Sequence, residues 1–543
     1  MDIIETKNWG AIVQTAFRRA IERIVSVGFA ACAAVSVAGE ATYSELYRPQ
    51  IHYSPPEHWM NDPNGLVQVG GRYQMYYQYH PYSSVWGPMH WGHADSADLL
   101  HWVTYPWVLG PDERGAIFSG SAVLDPGNTA GLGAAGSSPL IAIYTYHNHD
   151  IEANHGIAVE SQGLAYSLDQ GKTFAKYPKI ILQNPGTRNF RDPNVHWFEP
   201  TQRWIMTLVA TDHVEFYSSR NLKDWDYESG FGAGRGAHGG VWECPDLMRM
   251  QAEPGGETRD VLLVSTNPGG PGGGGGTQYF VGHFDGHHFT EDVPDGAPQW
   301  LDYGPDYYAA VTWNRDHHGN SEPPVVLGWM NDWRYAIKTP TSPWRSAMAI
   351  PRELHLLANG THHRMTAVPI PAVTSLASHS IAIANRRQLN ASELLQRDGK
   401  TIPALDFNLV VDSPRRAPFE LRLHNRFGQS LLLQTDPSSG EVRLDRSQSG
   451  KVDFDASFTT PVNAPARMPE SGRLSIRLLV DQSSVEVFLN DGETDITAQV
   501  FPDAIFDQID LSSADEAVFR SGTVSVLRSV WGNESSTGEP LPH

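Results

Sequence analysis

Cysteine is nearly missing from this chain: there are 2 in 543 residues, Cys32 and Cys244. A fold stapled by several disulfides is therefore excluded. Basic side chains are also scarce, 40 against 61 acidic, which leaves a net charge of -21. That balance excludes nucleic acid as a partner, because phosphates demand a basic face, and it reads as a solvated acidic surface. The apolar run at 24–38 is short for a membrane span. It follows Arg18, Arg19 and Arg23 and ends in small residues, so residues 1–40 are expected to be a secretion leader. Cleavage near Ala38 would leave Cys244 alone, so export is argued from the leader and not from cysteines. No membrane contact is expected beyond that segment.

Helical periodicity is equally scarce. Short alternating apolar stretches separated by Gly, Pro, Asn and Asp dominate, which predicts an all-β protein. The length exceeds one ordinary core, so two domains are expected. A turn pattern recurs as Ser96-Ala97-Asp98-Leu99-Leu100-His101-Trp102, Ser167-Leu168-Asp169-Gln170-Gly171-Lys172-Thr173-Phe174, Ser219-Arg220-Asn221-Leu222-Lys223-Asp224-Trp225 and Phe284-Asp285-Gly286-His287-His288-Phe289. Each closes a polar turn on an aromatic, at intervals of roughly fifty to seventy residues, as propeller blades would. The segment 363–400 is poor in aromatics and rich in Ala, Ser and Asn, and reads as a connection. Stretches at 405–411, 419–423 and 474–480 alternate like strands with one buried face, the pattern of a β-sandwich over 401–535.

Two further signals are incomplete. The glycines at 272–276 lack the Lys-Ser/Thr ending of a phosphate loop and read as a flexible loop. His147 with His149, and His287 with His288, lack the i, i+4 spacing of helical metal ligands, so no metal is expected. Asn359, Asn390 and Asn533 each begin an Asn-x-Ser/Thr triplet that permits N-glycosylation in a eukaryotic host.

What is present is a set of acidic residues beside proline: Trp59-Met60-Asn61-Asp62-Pro63-Asn64-Gly65, Arg191-Asp192-Pro193 and Trp242-Glu243-Cys244-Pro245. A residue before proline is pushed towards extended geometry, so Asp62 and Asp192 are expected on extended backbone. Glu243 has apolar neighbours able to desolvate it, which suits a proton donor. Two carboxyl groups flanking a scissile bond are what glycoside hydrolysis requires.

With Phe118-Ser119-Gly120-Ser121, these strings resemble the signature set of glycoside hydrolase family 32, the β-fructosidases. Trp86-Gly87-Pro88-Met89-His90-Trp91-Gly92-His93, Gly328-Trp329-Met330-Asn331-Asp332-Trp333, Pro343-Trp344-Arg345-Ser346-Ala347-Met348 and Asp481-Gln482-Ser483-Ser484-Val485-Glu486-Val487-Phe488 extend the match, which covers nearly everything after about residue 48. Asn267-Pro268-Gly269-Gly270 and Thr277-Gln278-Tyr279-Phe280-Val281-Gly282 most resemble secreted fungal exo-inulinases.

The resemblance implies a five-bladed β-propeller, here expected at 45–362, followed by the β-sandwich as structural support. It implies a retaining reaction on fructans or sucrose without a cofactor. Asp62 would be the nucleophile, Glu243 the acid and base, and Asp192 the stabiliser of the transition state. Arg191 would hold sugar oxygens or a carboxylate. Asn61, Gln78 and Ser119 would meet hydroxyls, and Trp86, Phe118 and Trp333 would offer faces to the ring. Asp306, in Asp302-Tyr303-Gly304-Pro305-Asp306-Tyr307-Tyr308, joins the substrate-binding set. A fructosyltransferase using the same intermediate is the first alternative. A non-catalytic fructan-binding propeller is the second, and the complete set of carboxylates weighs against it.

Overall fold

Alternation becomes strand nearly everywhere in the computed structural model, which describes residues 43–531 except 135, 294–295, 315–321, 360–361, 398–402, 414–416, 437 and 514–516. The expected leader and Asn533 lie outside the described residues. Among those residues the α-helices are His149–Ala153 and Ser392–Arg397.

The N-terminal part is a succession of antiparallel meanders. His58–Val69, Arg72–His80, His90–Ser96 and Trp102–Leu109 pair in order, as do Ala116–Leu124, Leu140–His147, Glu160–Ser167 and Ala175–Lys176. Phe190–Phe198, Arg203–Ala210, His213–Ser219 and Asp226–Phe231 follow, then Val241–Glu253, Thr258–Asn267, Gly276–Phe284 and Phe289–Glu291. Tyr308–Thr312, Val325–Met330, Arg352–Asn359 and His362–Pro369 come last, joined to the preceding meander by parallel pairing of Ala252 with Leu356. The inner strands touch in sequence: His58–Val69 meets Ala116–Leu124, then Phe190–Phe198, Val241–Glu253 and Tyr308–Thr312, which returns to His58–Val69.

The recurrent turn has one chemistry. Ser96 Oγ accepts from the Asp98 and Leu99 amides, and Asp98 Oδ1 accepts from those of Leu100 and His101. Ser219 and Asn221 repeat this with the amides of Asn221, Leu222, Lys223 and Asp224. Ser167, Asp169 and Asp285 cap their own turns similarly. Short polar side chains satisfy the amides that the strands cannot pair, so the turn closes without a helix.

The C-terminal part stacks two six-stranded sheets over an apolar core that includes Phe407, Leu421, Leu433, Ile476 and Val487. The strands expected at 405–411, 419–423 and 474–480 fall within Ala404–Asp412, Phe419–His424 and Arg473–Val480. The expected connection at 363–400 is corrected. His362–Pro369 completes a hairpin with Arg352–Asn359, Ala377–Arg386 is an edge strand of one sandwich sheet and Gln388–Asn390 of the other. The small residues there reflect an exposed edge rather than a linker.

Buried charge joins the two parts. Arg352 reaches Asp302 at 2.8 Å, Glu486 at 2.8 Å and Asp495 at 3.1 Å, all fully buried. His52 lies between Asp481 and Glu486, 2.8 Å from each. Burial opposes its charge, yet the two carboxylates raise it to about 9. The Asp481–Phe488 motif is thus the dock on which the propeller strands sit.

Candidate active site

Each inner strand carries the same irregularity. Its residues advance three positions where the neighbour advances two: Met60 to Pro63, Ile117 to Gly120, Arg191 to Asn194, Glu243 to Asp246 and Tyr308 to Val311. Such a bulge re-aims side chains out of the ladder. Prolines 63, 193 and 245 sit in three of them, where no ladder amide is needed. The bulges put Asp62, Ser119, Asp192, Glu243 and Tyr308 on one spot. A small central void beside them is lined by Asn64, Ser119, Asp192, Asn194, Cys244 and Val311.

The expected backbone holds for one carboxylate and fails for another. Asp62 keeps strand geometry, whereas Asp192 has φ 63° and Cys244 φ 48°. Both precede proline, yet the bulge forces them into the left-handed region, a strained conformation for such residues. The surrounding bonds hold them: the Asp192 amide donates to Thr145 Oγ1 at 3.0 Å and the Cys244 amide to Asp192 Oδ2 at 3.1 Å.

Asp62 Oδ2 accepts from Ser119 Oγ at 2.7 Å, and the neighbouring Asn61 side chain also favours the ionised carboxylate. Burial, then the charge of Glu243, raises Asp62 to about 6. Its Oδ1 is buried without a protein partner. The Cys244 thiol lies 3.7 Å from Asp62 Oδ2 and 3.7 Å from Asp192 Oδ2, bridging the two carboxylates. Burial first and the surrounding carboxylates next raise the thiol well above its ordinary value, so it stays protonated. Asp192 is also raised, by burial and by Glu243 and Asp62, against the pull of Arg191.

Glu243 is held by charge rather than sitting in the apolar pocket expected for it. Arg191 donates to its Oε1 from Nε at 3.1 Å and Nη2 at 2.9 Å, and the Tyr308 hydroxyl donates to Oε2. Its apolar neighbour Trp242 points into the core. Arg191 is steadied by Asn189 Oδ1 at 2.7 Å and Glu160 Oε1 at 3.2 Å.

Gln78 stands one step out, donating to Asn64 Oδ1 at 2.7 Å. Phe118 and the exposed Trp86 meet edge to face with centroids 6.0 Å apart. Trp333 stacks on Trp59, whose indole holds Asn61 at 2.7 Å. Asp306 is a correction: it is fully buried between the two parts of the chain, accepting from Arg446 Nη1 at 2.5 Å, Tyr335 Oη at 2.7 Å and the Gln499 amide at 2.8 Å. Its family match marks docking, not substrate contact. The glycine run is another correction. Arg334 Nη1 donates to the Gly272 carbonyl at 2.9 Å, and a Cβ on Gly275 would meet the Tyr308 ring at 2.5 Å. These glycines let a fixed turn press against Tyr308.

Glu160 and Tyr308 were not foreseen. Glu160 reads as one polar position in an alternating strand, and nothing distinguishes Tyr308 from Tyr307 in sequence. Their roles depend on long-range pairing.

Comparison with known proteins identifies the family. The models of the glycosyl hydrolases family 32 N-terminal domain and C terminal match residues 52–369 and 373–528. A levanase of Bacillus subtilis is 41% identical over 514 residues, 94% of this chain and 74% of the relative. An extracellular exo-inulinase of Aspergillus awamori is 40% identical over 494 residues, 85% of this chain and 90% of the relative. The crystal structure of the A. awamori exo-inulinase superposes with a TM-score of 0.80 at 35% identity, covering 90% of this chain and 100% of that one. The chain belongs to glycoside hydrolase family 32 and is an enzyme of that family.

Proposed function

We propose that this enzyme is a retaining, exo-acting β-fructosidase that releases terminal β-D-fructofuranosyl residues from fructans such as inulin and levan, and from sucrose. The observation that carries the reading is the convergence of Asp62, Asp192 and Glu243, with Cys244 bridging the first two and Arg191 gripping the third. The propeller is read as five-bladed, supported by the inner strands with their shared bulge, and the sandwich as its support. Secretion is supported by the extracellular relatives, and no helix among the described residues is long and apolar enough to cross a membrane.

In the reaction, Asp62 attacks the anomeric carbon of the fructosyl unit while Glu243 protonates the departing oxygen. Water, deprotonated by Glu243, then releases fructose from Asp62 with net retention. Such double displacement works with carboxyl groups about 5–5.5 Å apart. Asp192 grips ring hydroxyls as positive charge develops. The thiol of Cys244 sits between the two aspartates and, being neutral, adds no third charge there.

A time course on inulin, levan and sucrose, with products resolved by chain length, tests the reading. Fructose alone, released as the β-anomer before mutarotation, is expected. A ladder of oligosaccharides from inulin would mean endo-attack, and oligosaccharides preceding free fructose at high sucrose would mean transfer.

A further inference from the structure

The histidine pair that sequence spacing discounts gains a third member in space. His147 ends Leu140–His147, His149 opens the short helix His149–Ala153, and that helix brings Glu152 back over both rings. Glu152 Oε2 lies 3.1 Å from His147 Nε2 and 3.5 Å from His149 Nδ1. All three ligand atoms lie within 4.8 Å of one another, the one such group among the described residues. Tetrahedral zinc, with bonds of about 2.0–2.2 Å to nitrogen and oxygen, needs its ligand atoms roughly 3.3–3.5 Å apart. Two of the three edges are already near that length.

The far side of His147 supplies what such a ligand needs. Its Nδ1 faces Glu160 Oε1 at 3.3 Å, and Glu160 is buried. A carboxylate behind the ligating imidazole fixes the ring and the tautomer that leaves Nε2 free for metal. Phe118 stacks on the same ring at 4.3 Å with planes 11° apart, so the imidazole cannot swing away. His149 and Glu152 are open to solvent, 44% and 59% exposed, which leaves an entry path and a fourth position for water.

We propose that His147, His149 and Glu152 form a binding site for a divalent transition metal of the zinc class, and that the ion acts as an inhibitor bound beside the active site. Coupling to catalysis rests on the function proposed above and on a short chain of contacts. The ion on Nε2 strengthens donation from Nδ1 to Glu160. Glu160 holds Arg191 at 3.2 Å, and Arg191 holds Glu243 at 2.9 Å. The occupied site also anchors the rings that back Phe118 and meet Trp86.

The test is calorimetric titration of the full-length protein, stripped with EDTA, with Zn²⁺. Co²⁺ serves as a second probe through its visible absorption. One saturable site per chain is expected, with the intense bands of four-coordinate Co²⁺. Glu152→Gln and His149→Ala should each weaken binding by more than ~10-fold with unchanged circular dichroism, and Glu152→Gln should also keep its metal-free activity. Zn²⁺ should lower sucrose hydrolysis several-fold in the natural chain, reversibly with EDTA, and at a concentration that just saturates the natural chain it should leave Glu152→Gln nearly uninhibited. Equal Zn²⁺ affinity in the natural chain and both variants would overturn the site. Inhibition persisting unchanged in Glu152→Gln would overturn the coupling. If no fructoside is cleaved at all, the proposed function fails while the isotherms still decide the metal site.

Discussion

Replacing Ser119 with alanine isolates the electrostatics of Asp62, the proposed nucleophile. The hydroxyl donates to Asp62 Oδ2 at 2.7 Å and favours the ionised carboxylate against burial and the charge of Glu243, which together place Asp62 near 6. A hydrogen bond to a charged group contributes roughly 1.5–3 kcal/mol. Part of that survives with the neutral acid, so about 1.4 kcal/mol, or one pKa unit, is the differential share. The acidic limb of kcat/KM, which reports groups in the free enzyme, should therefore move from about 6 to about 7. The ionised fraction then falls roughly ninefold relative to the natural enzyme at about pH 5, and by only about a tenth at about pH 8. Sucrose hydrolysis followed across that range, with kcat/KM taken from initial rates, gives the limb directly. A limb that stays in place, or moves to lower pH, refutes the assignment of Ser119 as the donor that tunes Asp62.

Three other outcomes follow from the same geometry. Asp62→Asn should abolish turnover yet stabilise the fold at neutral pH. The folded carboxyl titrates near 6 against an ordinary 3.8, so the folded state holds extra protons between those values and stability falls as pH rises through that window. The gain in the variant, at most about 3 kcal/mol, should be present at about pH 7.5 and vanish near pH 4 in thermal melts; an equal gain at both would contradict it. Asp192→Ala should lose at least ~100-fold in kcat with a modest change in KM, because in the proposed mechanism its contacts strengthen as charge develops. A pure rise in KM would make it a ground-state binder. Asp306→Asn should leave KM for sucrose unchanged but cost about 3–5 kcal/mol in denaturant unfolding, since Arg446 is left as an uncompensated buried charge. Raised KM with unaltered stability would return Asp306 to the pocket.

The architecture was legible where a physical requirement acts locally. Half-buried strands must alternate, and 405–411, 419–423 and 474–480 do so; turns must satisfy their own amides, and Ser96 with Asp98, or Ser219 with Asn221, announce it. What failed were inferences from composition. Ala and Ser between 377 and 386 suggested a linker, but an exposed edge strand needs few large apolar residues. Five glycines suggested flexibility, yet Gly274 and Gly275 are there because Asp332 and Tyr308 leave no room for a Cβ.

The site shows the same division more sharply. Five inner strands each insert one residue, yet proline marks the insertion in only three of them, at 63, 193 and 245. The other two use Ser119 with Gly120, which only the family resemblance marks, and Ala309 at φ 54°, which has no sequence signature stronger than an ordinary strand residue. Hence Asp62, Asp192 and Glu243 could be found from their neighbours, whereas Tyr308 could not, although it bonds Glu243 as directly as Arg191 does. Glu160 is further removed still: it acts through Arg191, and its position is set by pairing with His147 across a register that no local pattern encodes. Strand insertions that must break a ladder are readable when proline does the breaking; side chains that act across the funnel become visible only once the ring has closed.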